Sequence, residues 1–152
     1  MIDTISFGAT DSLQLFKQLL KLKDTELREK FDPHQSVLPL LHAKSDFIDA
    51  ILGRCWRRFL DDDAPRISLI AVGGYGRREL FPYSDIDIMV LLDVEGAAPY
   101  QDALVQFFTF LWDIGLKPGQ SVRTVKECVR EACDDQTVMT SLMEMRLISG
   151  NE

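Results

Sequence analysis

The chain has 152 residues, the size of one domain, and its 46% hydrophobic and 27% charged residues exclude an intrinsically disordered polymer. Its net charge of -7 disfavours a general binder of nucleic-acid backbones, while a nucleotide held through metal ions stays compatible, because the metal supplies the local positive charge. No apolar run reaches the ~18 residues of a bilayer span and the N-terminus lacks a signal-peptide pattern, so a soluble cytoplasmic protein is expected.

In chain order, Ser12 is placed as the cap of a first helix whose Leu13, Phe16, Leu19, Leu20 and Leu27 follow a helical face. Phe31-Asp-Pro-His34 ends it, since the residue before a proline avoids helical angles. A second helix covers residues 37–60, with Pro39 in its first turn and Gly53 weakening its middle. Asp61-Asp-Asp63 reads as a solvated linker. Residues 67–72 are short, apolar and β-branched, a buried strand that runs into Gly73-Gly74. A short helix over 75–80 stops at Phe81-Pro82, a second strand covers 85–92, and 96–99 is loop. From Tyr100 onward, Ala103, Leu104, Phe107, Phe108, Leu111 and Ile114 keep one helical face, and Gly115 sits at the C-cap position. That aromatic stripe, with Trp112 at its edge, is core packing rather than a platform for bases.

Residues 121–124 read as a third strand and 125–148 as two helices parted near Asp134-Asp135. Met139, Met143 and Met145 are expected as core filler or as an apolar surface. Cys55, Cys128 and Cys133 lack metal-ligand spacing and an even disulfide set, so they read as isolated thiols in or near a core. The order gives an α/β core with helical flanks, divided into an N-terminal helical segment, 1–62, and a core, 63–152.

The chemistry concentrates in Ser84-Asp-Ile-Asp-Ile-Met-Val-Leu91. Residues two apart on a strand share a face, so Asp85 and Asp87 project together while Ile86, Ile88 and Val90 pack on the other side. Two adjacent carboxylates at the start of an apolar strand repel unless something neutralises them, and Mg2+ suits a few carboxylates plus phosphate oxygens. A bare Asp-x-Asp also fits an exposed acidic turn. What separates the two is Gly73-Gly74, which ends eleven residues before Asp85 and lets backbone come close to a phosphate.

The run Val72-Gly-Gly-Tyr-Gly-Arg-Arg-Glu-Leu-Phe-Pro-Tyr-Ser-Asp-Ile-Asp-Ile-Met-Val-Leu-Leu92 resembles the signature of the PII uridylyltransferase/uridylyl-removing enzymes, the GlnD family. Gly115-Leu116, Ser121-Val-Arg-Thr124, Asp135-Gln-Thr-Val138 and Leu142-Met-Glu-Met-Arg-Leu147 resemble it too, as does the stretch 43–52 around Asp49. The resemblance implies a DNA polymerase β-like nucleotidyltransferase core with a mixed sheet. It implies Mg2+-dependent transfer of UMP from UTP to a tyrosine of the nitrogen-signalling protein PII. On this sequence Gly73 and Gly74 would hold the triphosphate, with Ser84 as a further phosphate contact, and Asp85 and Asp87 would bind the metal. The alternatives are a related nucleotidyltransferase with another nucleotide or acceptor, and a non-catalytic module that binds PII or nucleotide.

The resemblance also implies two departures. Family members are far longer, with a phosphohydrolase domain containing a His-Asp pair and two ACT domains. Here His34 and His42 stand apart from any such pair, so a fragment without uridylyl-removing activity is expected. The wider superfamily places a third carboxylate on the strand after the helix, where this chain has Ser121-Val-Arg-Thr124. Asp135 is the family-matched candidate, with helix capping as its structural alternative, and Glu79 and Asp93 are weaker ones. Arg77, Arg78 and Arg123 are candidates for phosphate contacts or plain surface charges.

Overall fold

The computed structural model describes residues 11–60, 66–93 and 97–150. Two long helices open it, α1 (Asp11–Glu29) and α2 (Leu38–Phe59). Ser12 lies within α1 rather than at a capping position before it. Pro39 stands in the first turn of α2, where a missing N–H costs nothing. The acidic run 61–63 lies outside the described residues.

The strands and remaining helices follow: β1 (Ile67–Ala71), the four-residue helix α3 (Gly73–Gly76), β2 (Asp87–Leu92), a 3-10 turn over 98–100, and α4 (Gln101–Ile114). Then come β3 (Gly119–Thr124), α5 (Val125–Asp134), α6 (Gln136–Met143) and β4 (Arg146–Gly150). The sheet order is β3-β2-β1-β4, with β2 parallel to β3 and the other two pairs antiparallel. This is the mixed α/β core that the sequence implied.

Several boundaries differ from expectation. The helix foreseen over 75–80 is only one turn, because Arg78 takes a left-handed φ of 63° that a helix cannot continue through. The second strand starts at Asp87 rather than Asp85. Residues 146–148, expected in a helix, belong to β4, which pairs along β1 with a register shift between Leu69 and Ile70. That strand exists through its long-range partner, a cause that local periodicity does not report.

Alternation in β1 and β2 divides the core. Ile67, Leu69, Ala71, Ile88, Val90 and Leu92 pack with Phe16 of α1, Trp56 of α2 and Phe107 of α4 in one cluster. Ile70, Met89 and Cys128 form a second cluster on the opposite face, beneath α5 and α6. Phe107 is fully buried edge-on to Trp56, with ring centroids 5.3 Å apart, so the aromatic stripe is core as expected. Gly115 caps α4 in the left-handed region at φ 95°. Met139, Met143 and Met145 are exposed, which corrects the core-filler alternative: α6 covers the sheet with Leu142 and leaves Met139 and Met143 outside, and Met145 is exposed in the connection to β4. Cys55 and Cys128 are buried, with the Cys55 thiol pushed up to about 12 by burial, while Cys133 is exposed. Among the described residues no helix is long and apolar enough to cross a membrane.

Candidate active site

The turn after β1 is built by Gly73, whose φ of 59° is cheap only without a side chain. Four backbone bonds close it: Gly76 N–H donates to Val72 O at 3.1 Å, Arg77 N–H to Gly73 O at 3.1 Å, Arg78 N–H to Tyr75 O at 3.0 Å, and Glu79 N–H to Gly74 O at 2.9 Å. Val72 N–H donates to Asp87 O at 3.1 Å, so the turn hangs directly beside the first residue of β2. A Cβ built on Gly73 would stand 3.8 Å from Asp87 Oδ2.

Asp87 belongs to the face of β2 that carries Met89, opposite Ile86, Ile88 and Val90, which are all buried. It lines a cleft of about 340 Å³ with Val72 and Gly73 on one side. Ser121 and Arg123 of β3, and Asp135, Thr137 and Ser141 around α6, make the other side. Burial, first, and the charge of Asp85, second, push the Asp87 carboxyl above its ordinary range. Asp85 and Ser84 are exposed in the irregular stretch just before β2, and Ser84 N–H donates to Phe81 O at 3.1 Å. Neither lines the cleft, and Gly74 lies one step further along the turn.

Register explains a residue that sequence reasoning passed over. The parallel pairing of β2 and β3 sets Asp87 opposite Gly119, and a Cβ built on Gly119 would overlap Asp87 Oδ1. The carboxylate therefore occupies space that only glycine leaves open. The sequence pattern places the start of the third strand at Ser121, and β3 begins two residues earlier, at Gly119, which creates this opposition.

The secondary candidates separate cleanly. Asp135 lines the cleft, yet its side chain caps α6 by accepting from Thr137 N–H at 2.7 Å, which holds its carboxyl below the usual range. Glu79 accepts from Arg77 Nε at 2.9 Å. Asp93 follows the last residue of β2, about 20 Å from Asp87 at the ordinary rise per strand residue. Among the described residues no group of three or more His, Cys, Asp or Glu side chains gathers to hold a metal ion. Arg77 is tied to Glu79 and Glu144, and Arg78 to Asp46. Arg123 alone of the three arginines lines the cleft, and it pairs with Glu131 at 2.8 Å.

Known proteins resemble this chain over most of its length. A family profile described as a nucleotidyltransferase domain matches residues 53–145. The bifunctional uridylyltransferase/uridylyl-removing enzyme of Pseudomonas putida strain F1 is 47% identical over 137 residues, which is 90% of this chain and 15% of that protein. The enzymes of the same name from Pseudomonas entomophila strain L48 and Pseudomonas fluorescens strain SBW25 are 46% and 44% identical over 137 residues, again 90% of this chain and 15% of theirs. The resemblance carried by residues 72–92 is thus borne out, and the chain spans about 15% of the length of the curated relatives it matches. The match of the nucleotidyltransferase-domain profile to residues 53–145, more than half of the chain, shows that the chain belongs to the nucleotidyltransferase domain family.

Proposed function

We propose that the cleft is the centre of a Mg2+-dependent transferase that moves UMP from UTP to a tyrosine of the regulatory protein PII, releasing pyrophosphate. The observation that carries this reading is the meeting of Gly73 and Asp87 on one wall of the cleft, with Gly119 leaving the carboxylate its room. Family membership supports nucleotidyl transfer. The uridylyl donor rests on the name the relatives share, and the PII acceptor on the resemblance of residues 72–92.

The donor chemistry fits a divalent cation. Asp87 is raised by burial and by Asp85, the behaviour of neighbouring carboxylates short of positive charge. Mg2+ takes one or two carboxylates and completes its shell with water and phosphate oxygens, so it does not require a third protein ligand. Asp85 and Asp87 would hold it, and when bound it neutralises charge on the reacting and departing phosphates. The protein's own part is placement. Gly73 and Gly74 let backbone approach the triphosphate, Ser84 offers a hydroxyl beside the pair, and the cleft wall orients the acceptor oxygen.

The test is to incubate the chain with PII, Mg2+ and each labelled nucleoside triphosphate. Label from UTP alone supports donor and acceptor together. Label from a different triphosphate moves the assignment to a related nucleotidyltransferase, and no label from any favours a non-catalytic binding module. Asp85→Asn and Asp87→Asn are each expected to abolish transfer with an unchanged circular dichroism spectrum; full transfer by both variants would sink the assignment.

A further inference from the structure

The turn that carries Gly73 is too short to hold its own shape. A single helical turn fixes several dihedrals for very few hydrogen bonds, so a four-residue helix such as α3 must take its orientation from what surrounds it. What surrounds it is specific. The Tyr75 hydroxyl donates to Asp49 Oδ1 of α2 at 2.5 Å. Arg146, the first residue of β4, donates to both oxygens of the same carboxylate, Nη1 to Oδ2 at 2.5 Å and Nη2 to Oδ1 at 3.1 Å. The same guanidinium turns to the backbone, with Nη2 donating to Tyr75 O at 3.2 Å and Nε to Gly76 O at 3.3 Å. It lies 5.4 Å from the centre of the Tyr75 ring.

Each part constrains the turn. The Tyr75 ring is fully buried, so its backbone cannot shift without moving the core, and its hydroxyl is kept protonated by burial and by Asp49. The two carbonyls bound by Arg146 fix the planes of the peptides that follow Tyr75 and Gly76. Gly76 is pressed so close to Glu144 that a Cβ would overlap the Glu144 carbonyl oxygen. Asp49, Tyr75 and Arg146 do not line the cleft, so none of them is placed to touch a nucleotide. A bidentate arginine–carboxylate pair carries geometric specificity that a lysine at the same place cannot supply.

We propose that Asp49, Tyr75 and Arg146 form a clamp that positions the glycine turn to receive the triphosphate, a role that rests on the cleft being the nucleotide site. They are positioning residues, acting through the backbone of α3. Tyr75→Phe removes one hydroxyl and keeps the buried ring. Arg146→Lys keeps the charge and loses the fork.

The experiment titrates MgUTP into the wild-type chain and both variants, at a temperature where thermal melts show each folded. The expected result is a Kd raised at least about tenfold in both, the scale of one lost charge-assisted hydrogen bond. A residue that serves stability alone lowers Tm and leaves the Kd of the folded protein unchanged. Wild-type affinity in both folded variants therefore overturns the clamp. Where Arg146→Lys does not fold, Tyr75→Phe decides by itself. A wild-type chain that fails to bind MgUTP overturns the nucleotide-site reading, and the clamp's role with it.

Discussion

Asp87 owes its position to a neighbour with no side chain. Gly119 lies across the β2–β3 pairing, and its missing Cβ is the space that Asp87 Oδ1 fills. In Gly119→Ala the carboxylate has to swing to another rotamer, because the end of an aspartate yields more easily than two paired strands. Under the proposed function Asp87 holds the metal, and misplacing a group that positions the reactants by about 1 Å costs on the order of 10²-fold in rate. Gly119→Ala is therefore expected to lower transfer about a hundredfold while its melting temperature stays within a few degrees of wild type. Steady-state transfer beside a thermal melt checks this, and a variant with normal transfer would contradict it. Gly73-Gly74 and the aspartate pair were legible in the sequence because glycine and paired carboxylates declare their chemistry locally. Gly119 and Arg146 were not, because their roles depend on which strand residue each one meets.

Among the elements, α4 was the most legible: its apolar face, its polar face and its Gly115 stop all agree. Strand β4 was the least. Its five residues are all half-buried, without alternation between faces, and they directly follow the α6 pattern. Helices α5 and α6 carry acid-sensitive starts. Thr124 and Glu127 form a reciprocal capping box on α5, and Asp135 caps α6. The Glu127 carboxyl is lowered chiefly by the Thr124 backbone N–H, and Asp135 chiefly by the Thr137 backbone N–H. A carboxyl depressed in the folded state stabilises fully above its unfolded pKa, and that contribution is lost as pH falls through its folded value. Stability should thus decline below about pH 4, the ordinary carboxylate range. In Glu127→Gln/Asp135→Asn the acid limb of a urea-midpoint-versus-pH curve should be shallower than in wild type. Superimposable limbs would remove these caps from the account of acid sensitivity.

At the scale of the molecule, one apolar cluster runs from Phe16 of α1 through α2 and the sheet to α4. Phe16 is buried edge-on to Phe110, with ring centroids 5.6 Å apart. Phe16→Ala should cost about 3–5 kcal/mol. Tryptophan fluorescence and far-ultraviolet circular dichroism should then lose signal in one shared transition, displaced as a unit from wild type. Two separated transitions would mean that α1 melts apart from the sheet. The clamp adds a consequence in time. Arg146 grips Asp49 across 97 positions of chain, while α2, β1 and the glycine turn lie far nearer the N-terminus. Synthesis delivers residues at about 5–20 per second, N-terminus first. A nascent chain that has not yet released residue 146 therefore holds the glycine turn without the Arg146 grip. The grip on the glycine turn forms only once β4 has joined the sheet, so the pairing of this strand sets when the turn is held in place.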